Sequence, residues 1–127
     1  MNFDHAGIAT DDADGLAELY ADLFDTPVVH KERFDGMDVR FLDCGDSYFE
    51  LLEPHEEGTI ARYLDRNGPG IHHLALTTDD IAGALDRMDE RGVELIDEEP
   101  RPGAWGHDVA FLHPKATGGV LVELVEH

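Results

Sequence analysis

GIHHLALTTDD, residues 70–80, sets two histidines in an apolar run and closes it with Thr-Asp-Asp. DHAGIATDD, residues 4–12, ends the same way. A shift of 68 positions lays His5 on His73, Thr10-Asp11-Asp12 on Thr78-Asp79-Asp80, and Gly15 on Gly83. Further along, YFELLE (48–53) resembles LVELVE (121–126), which aligns Glu50 with Glu123 and Glu53 with Glu126. The shift there is 73, so the second copy carries a small insertion. A long-period echo present twice points to a duplicated supersecondary unit inside one pseudo-symmetric domain, since a solenoid needs more repeats.

Each copy reads alike. A strand opens it, NFDHAGIAT or GIHHLALTT. An Asp-rich helix start follows, because an N-cap Asp accepts backbone N–H bonds and its charge suits the helix dipole. The helices are DADGLAELYADLF, with Leu16, Leu19, Tyr20 and Leu23 expected on one buried face, and DIAGALDRMDERG, ended by Gly92. Three strands are then expected per copy: PVVHKER, MDVRFLDC and SYFELLE, then VELIDEE, HDVAFLH and GVLVELVE. Asp46 and Gly118-Gly119 mark tight turns, and TIARYLDRNGPG reads as a connecting helix with a Gly-Pro break. The fold class expected is α+β: two βαβββ modules forming an open, curved mixed sheet. Module one is about 1–54, the connector about 55–69 and module two about 70–127, in a single domain.

The 127 residues suffice for one core. Asp plus Glu number 29 against 9 Lys plus Arg, a formal net charge of −20. That charge repels nucleic acid and anionic membranes. The regular apolar strands argue against disorder, so the surface reads as one adapted to high salt, where screening removes self-repulsion. No apolar run has the length of a membrane span, MNFDHAGIATDD lacks a signal pattern, and Cys44 is the one cysteine; a cytoplasmic location is expected. Cys44 reads as a small core residue.

Glu50 and Glu123 each interrupt an apolar strand. A buried carboxylate must be paired, protonated or bound to a metal. His5 and His73 lie on the opening strands of the same two copies. Any one of the four reads most simply as structural: a hydrogen-bonded core histidine, or a glutamate facing solvent. Repeated at matching positions, His5, Glu50, His73 and Glu123 instead suggest an N₂O₂ shell for a divalent metal if the copies pack about a pseudo-twofold axis. Such a shell suits Co, Ni, Mn, Zn or Fe better than Ca. His72 points to the other strand face. His30, His55, His107, His113 and His127 lack repeat partners and read as surface or loop residues.

The chain resembles the vicinal oxygen chelate (glyoxalase) superfamily, and within it the methylmalonyl-CoA epimerase family. The matching segments are DHAGIAT, FELLEP, GPGIHHLAL, DEEPRPGAWG and FLHPKATGGVLVELVE. The resemblance implies paired βαβββ modules, a divalent metal that is often cobalt, and a homodimer. It implies His5, His73 and Glu123 as metal ligands, with Glu50 where some members place Gln. The implied reaction interconverts the epimers of methylmalonyl-CoA by removing and returning the C2 proton through a metal-stabilised enolate; the pseudo-twofold repeat offers Glu123 and Glu50 as the acid–base pair, with a water or a further residue as the alternatives to Glu50. Some members carry another glutamate on the strand before the fourth-ligand strand; Val39 stands there, and Asp38 is expected on the opposite face. Lys115 and Arg101 are the sparse cations that could meet the CoA phosphates, or simply form surface ion pairs. Trp105 covers a pocket or lies in an exposed loop. A glyoxalase I-type lyase on the same metal scaffold and a metal-free binding module are the competing readings.

Overall fold

The computed structural model describes Met1–His127. The residues group into two compact units, His5–His72, and Met1–Asp4 together with His73–His127.

In the first unit the elements are β1 (Asn2–Ala9, from His5 on), α1 (Ala13–Phe24), β2 (Val28–Phe34), β3 (Met37–Asp43), β4 (Tyr48–Pro54) and α2 (Thr59–Asn67). The strands lie in the order β2-β3-β4-β1. β1 and β4 are parallel, and the hairpin pairs are antiparallel. Asp35 and Gly36 both take positive φ between β2 and β3, the backbone that a two-residue Asp-Gly hairpin turn requires. Beneath α1, Ile8, Ala17, Leu42 and Leu51 form a core, with Leu16, Tyr20, Val28 and Phe49 packed on it.

The buried stripe of α1 is Ala13, Leu16, Ala17 and Tyr20, one turn earlier than expected. Leu19 and Leu23 are exposed, at 49% and 59%. Both stripes have the same i, i+3, i+4, i+7 spacing, so periodicity cannot choose between them. Ala13 and Ala17 decide it, because small side chains let the helix approach the sheet closely.

The second unit holds β5 (Gly70–Thr77, from His73 on), α3 (Ile81–Glu90), β6 (Arg101–Pro102), β7 (Asp108–Leu112) and β8 (Val122–Glu126). The order β5-β8-β7-β6 mirrors that of the first unit, again with one parallel pair. Ile81, Ala84, Leu85, Ala110, Leu112 and Leu124 form its core. Burying a leucine fully contributes about 1.5–3 kcal/mol.

VELIDEE does not form the expected strand. Its segment follows β7 irregularly, with one isolated bridge, Leu95 to Leu112. The N–H groups of Ile96 and Asp97 both donate to Phe111 O, while the Asp97 carboxylate accepts Phe111 N–H at 2.9 Å. A side chain thus replaces a ladder carbonyl, and regular pairing resumes only at β6. No helix is long and apolar enough to cross a membrane.

The repeated Thr-Asp-Asp has a structural explanation. Asp12 accepts Gly15 N–H at 3.0 Å, and Asp80 accepts Gly83 N–H at 3.0 Å. Thr10 and Thr78 hydroxyls accept the N–H of Asp12 and Asp80. The repeated glutamates complete each cap: Glu53 Oε1 accepts Ala13 N–H and Glu126 Oε1 accepts Ile81 N–H, both at 2.8 Å. Glycine at 15 and 83 leaves room for the cap, since a Cβ at either would lie 2.2 Å from the capping carboxylate and displace it.

Candidate functional site

Each unit carries one buried histidine–glutamate pair in the same register. In the first, β1 and β4 pair Gly7 with Glu50, two residues beyond His5. In the second, β5 and β8 pair Ala75 with Glu123, two residues beyond His73. Strand alternation therefore puts imidazole and carboxylate on one sheet face in each case. His5 Nε2 lies 3.3 Å from Glu50 Oε1, and His73 Nε2 lies 3.8 Å from Glu123 Oε1. All four residues are at most 7% exposed.

This chemistry fits a divalent ion. Two donor atoms each about 2.1 Å from one ion lie roughly 3.0–3.4 Å apart for octahedral to tetrahedral angles. The His5–Glu50 separation falls in that range, and the His73–Glu123 separation is slightly wider. Buried carboxylates gain most from such a counter-charge.

Two further residues flank these pairs and were not singled out in the sequence. Phe41 faces Glu50 across the β3–β4 ladder, and Phe111 faces Glu123 across β7–β8. The Phe41 ring stands at 85° to His5 with centroids 5.8 Å apart; Phe111 stands at 85° to His73 at 5.5 Å. The signal was present as Phe-Leu repeated at 41–42 and 111–112.

Val39, expected where some family members carry another glutamate, is 1% exposed and pairs with Leu52. Neighbouring Asp38 is engaged elsewhere. His55 Nε2 lies 2.8 Å from Asp38 Oδ2 and 3.0 Å from Glu53 Oε2, and Arg33 Nε bonds Asp38 Oδ1 at 3.0 Å. The His55 hydrogen bond, aided by Arg33 and opposed by desolvation, holds the Asp38 carboxyl below the usual carboxylate range. Asp38, Glu53 and His55 form a cluster of metal-type donors, but Arg33 supplies a cation already and Glu53 caps α1. This cluster reads as an ion-pair hub.

Arg101 bonds Asp97 at 3.2 Å and lies over the Phe111 ring at 5.5 Å. Lys115 is exposed on the 3₁₀ turn Pro114–Thr117, whose start is capped by His113 Nδ1. Trp105 is half-buried, adopts φ 62° and stacks on His107. His127 lies 2.6 Å from the buried Asp4 carboxylate. Cys44, expected in the core, is instead exposed between β3 and β4, in the turn that its N–H closes onto Ser47 O. Partial desolvation, reinforced by the Asp43 carboxylate, raises the thiol pKa, away from a reactive thiolate.

The profile described as the Glyoxalase/Bleomycin resistance protein/Dioxygenase superfamily matches residues 4–111. The ethylmalonyl-CoA/methylmalonyl-CoA epimerase of Cereibacter sphaeroides is 38% identical over 125 residues, covering 94% of this chain and 93% of that protein. The crystal structure of the Mycobacterium tuberculosis methylmalonyl-CoA epimerase superposes with a TM-score of 0.93 at 38% identity, over 98% of this chain and 87% of that one. A methylmalonyl-CoA epimerase in complex with methylmalonyl-CoA and NH4+ gives a TM-score of 0.91 at 37% identity, over 98% and 93%.

Proposed function

The chain belongs to the glyoxalase/bleomycin resistance protein/dioxygenase superfamily and, within it, to the methylmalonyl-CoA epimerases, and from that premise we propose that it interconverts the epimers of methylmalonyl-CoA with the help of a divalent metal ion. The carrying observation is the register match: His5 with Glu50 and His73 with Glu123, each pair buried and two residues out of step on a parallel strand pair.

In this reading His5, Glu50, His73 and Glu123 hold a divalent ion, with cobalt preferred and manganese, nickel or zinc as substitutes. When bound, the ion supplies Lewis acidity toward the thioester and carboxylate oxygens of the substrate. The substrate C2–H lies between those two acidifying groups. Glu123, starting as the carboxylate, takes the C2 proton, the C–H electron pair moves onto the thioester carbonyl as an enolate, and Glu50, starting as the acid, returns its proton to the opposite face; exchange with solvent then deprotonates Glu123 and reprotonates Glu50. A carboxylate has two oxygens, so one can remain a ligand while the other handles a proton. With Val39 apolar and Asp38 held by Arg33 and His55, β3 offers no competing base. Lys115 and Arg101 are proposed to meet the CoA phosphates. Two copies are proposed to pair, covering apolar surface such as Leu19, Leu23 and Phe24. The acidic composition is proposed as an adaptation to a salt-rich cytoplasm.

A glyoxalase I-type lyase is the second reading, favoured by one feature: Glu50 stands where some epimerases place Gln, which with Glu123 gives a two-His, two-Glu set. Assaying the cobalt-loaded chain on methylmalonyl-CoA and on a hemithioacetal separates the two. Turnover of the thioester alone supports the epimerase, and turnover of the hemithioacetal alone overturns it.

A further inference from the structure

Resting on the metal reading above, we propose that Phe41 and Phe111 are positioning residues that set the ring planes of His5 and His73, so that each imidazole presents Nε2 at the angle the ion requires.

Three observations carry this. The phenylalanines occupy equivalent places, each directly opposite the glutamate of its own unit. Each ring stands at the same 85° to its histidine, at 5.8 Å and 5.5 Å. The residues flanking the two rings are otherwise different. Phe41 meets Tyr48 edge-on at 6.0 Å and tilts toward His30, whereas Phe111 lies under Arg101, which Asp97 holds. Equal geometry in unequal surroundings is what a shared constraint from the histidine produces.

The physical reason is direct. A ligand imidazole turns about two side-chain torsions, and a small rotation moves its lone pair off the ion. Such rings are usually fixed by a hydrogen bond from the other ring nitrogen. An aromatic ring held perpendicular against the imidazole restricts the same rotation by packing, since edge-to-face contact is favoured over a face-to-face sandwich. Phe41 and Phe111 would therefore act on the ion through His5 and His73 without touching substrate.

The test uses the full chain with cobalt alone as the probe. Phe41→Leu, Phe111→Leu and the ring-retaining Phe41→Tyr and Phe111→Tyr would be compared with the parent. The readouts are the apparent cobalt Kd by chelator competition, the visible spectrum of the cobalt protein, and the Tm after metal removal. Each Leu variant is expected to bind cobalt about 10- to 100-fold more weakly and with an altered spectrum, while each Tyr variant restores both. Leu variants that match the parent in affinity and spectrum overturn the proposal alone. A folded parent that binds no cobalt overturns the metal reading and the proposal with it. If a Leu variant fails to fold, Phe41→Met and Phe111→Met, which keep volume without a ring, carry the same expectations.

Discussion

Replacing Glu50 by Gln keeps a carbonyl oxygen where a carboxylate stood and removes only the charge and the proton acceptor. If Glu50 returns the C2 proton, Glu50→Gln should retain metal and lose about 10²-fold or more in kcat. Glu123→Gln should lose at least as much. Full activity in Glu50→Gln, measured by epimer interconversion, would remove Glu50 from the acid–base pair. Histidine and glutamate were legible at these positions because a buried charge in an apolar strand is conspicuous, and because each had a partner one repeat away. Phe41 and Phe111 were not, since a phenylalanine in a strand is what any core contains. Cys44 misled for the opposite reason: a residue usually buried here closes an exposed turn.

At the scale of the element, α1 and α3 are each started by three groups from their own unit: a threonine hydroxyl, an aspartate and a glutamate reaching in from the strand beside it. Glu53→Ala and Glu126→Ala each delete an acceptor from a helix N-terminus, at a cost of about 1 kcal/mol. The expected effect is a fall in Tm of about 3–6 °C for each. Glu53→Ala should cost more, because Glu53 also meets His55 at 3.0 Å. Unchanged melting in both variants would remove the capping role. Helix starts, the α3 C-terminus at Gly92 and the repeated strand order were readable from local chemistry. VELIDEE was not, because its failure to pair depends on Asp97 reaching a backbone N–H on β7, fourteen residues away. The α1 face was mis-phased because two stripes share one period.

Across the whole molecule, a net charge of −20 on 127 residues makes self-repulsion a general destabilising force at low ionic strength. At 1 M salt the Debye length falls to about 3 Å. Tm should therefore rise markedly between dilute buffer and molar KCl, whatever happens at the metal centre. Equal melting in both would contradict the reading of the surface. The duplication was visible along the whole chain, as two shifts differing by five residues. The two units bear it out: the same strand order, the same parallel pair and the same His-to-Glu register.

The central claim joins the repeat, the four ligands and proton transfer at C2. Its most direct test is deuterium entry at C2 of methylmalonyl-CoA in D₂O with molar KCl, followed by NMR, for cobalt-loaded protein and for protein stripped by a chelator. Exchange accompanied by epimerisation in the loaded protein, lost on stripping and restored by cobalt, is the predicted result. Absence of exchange by folded, cobalt-loaded protein, or exchange that survives complete stripping, would contradict it.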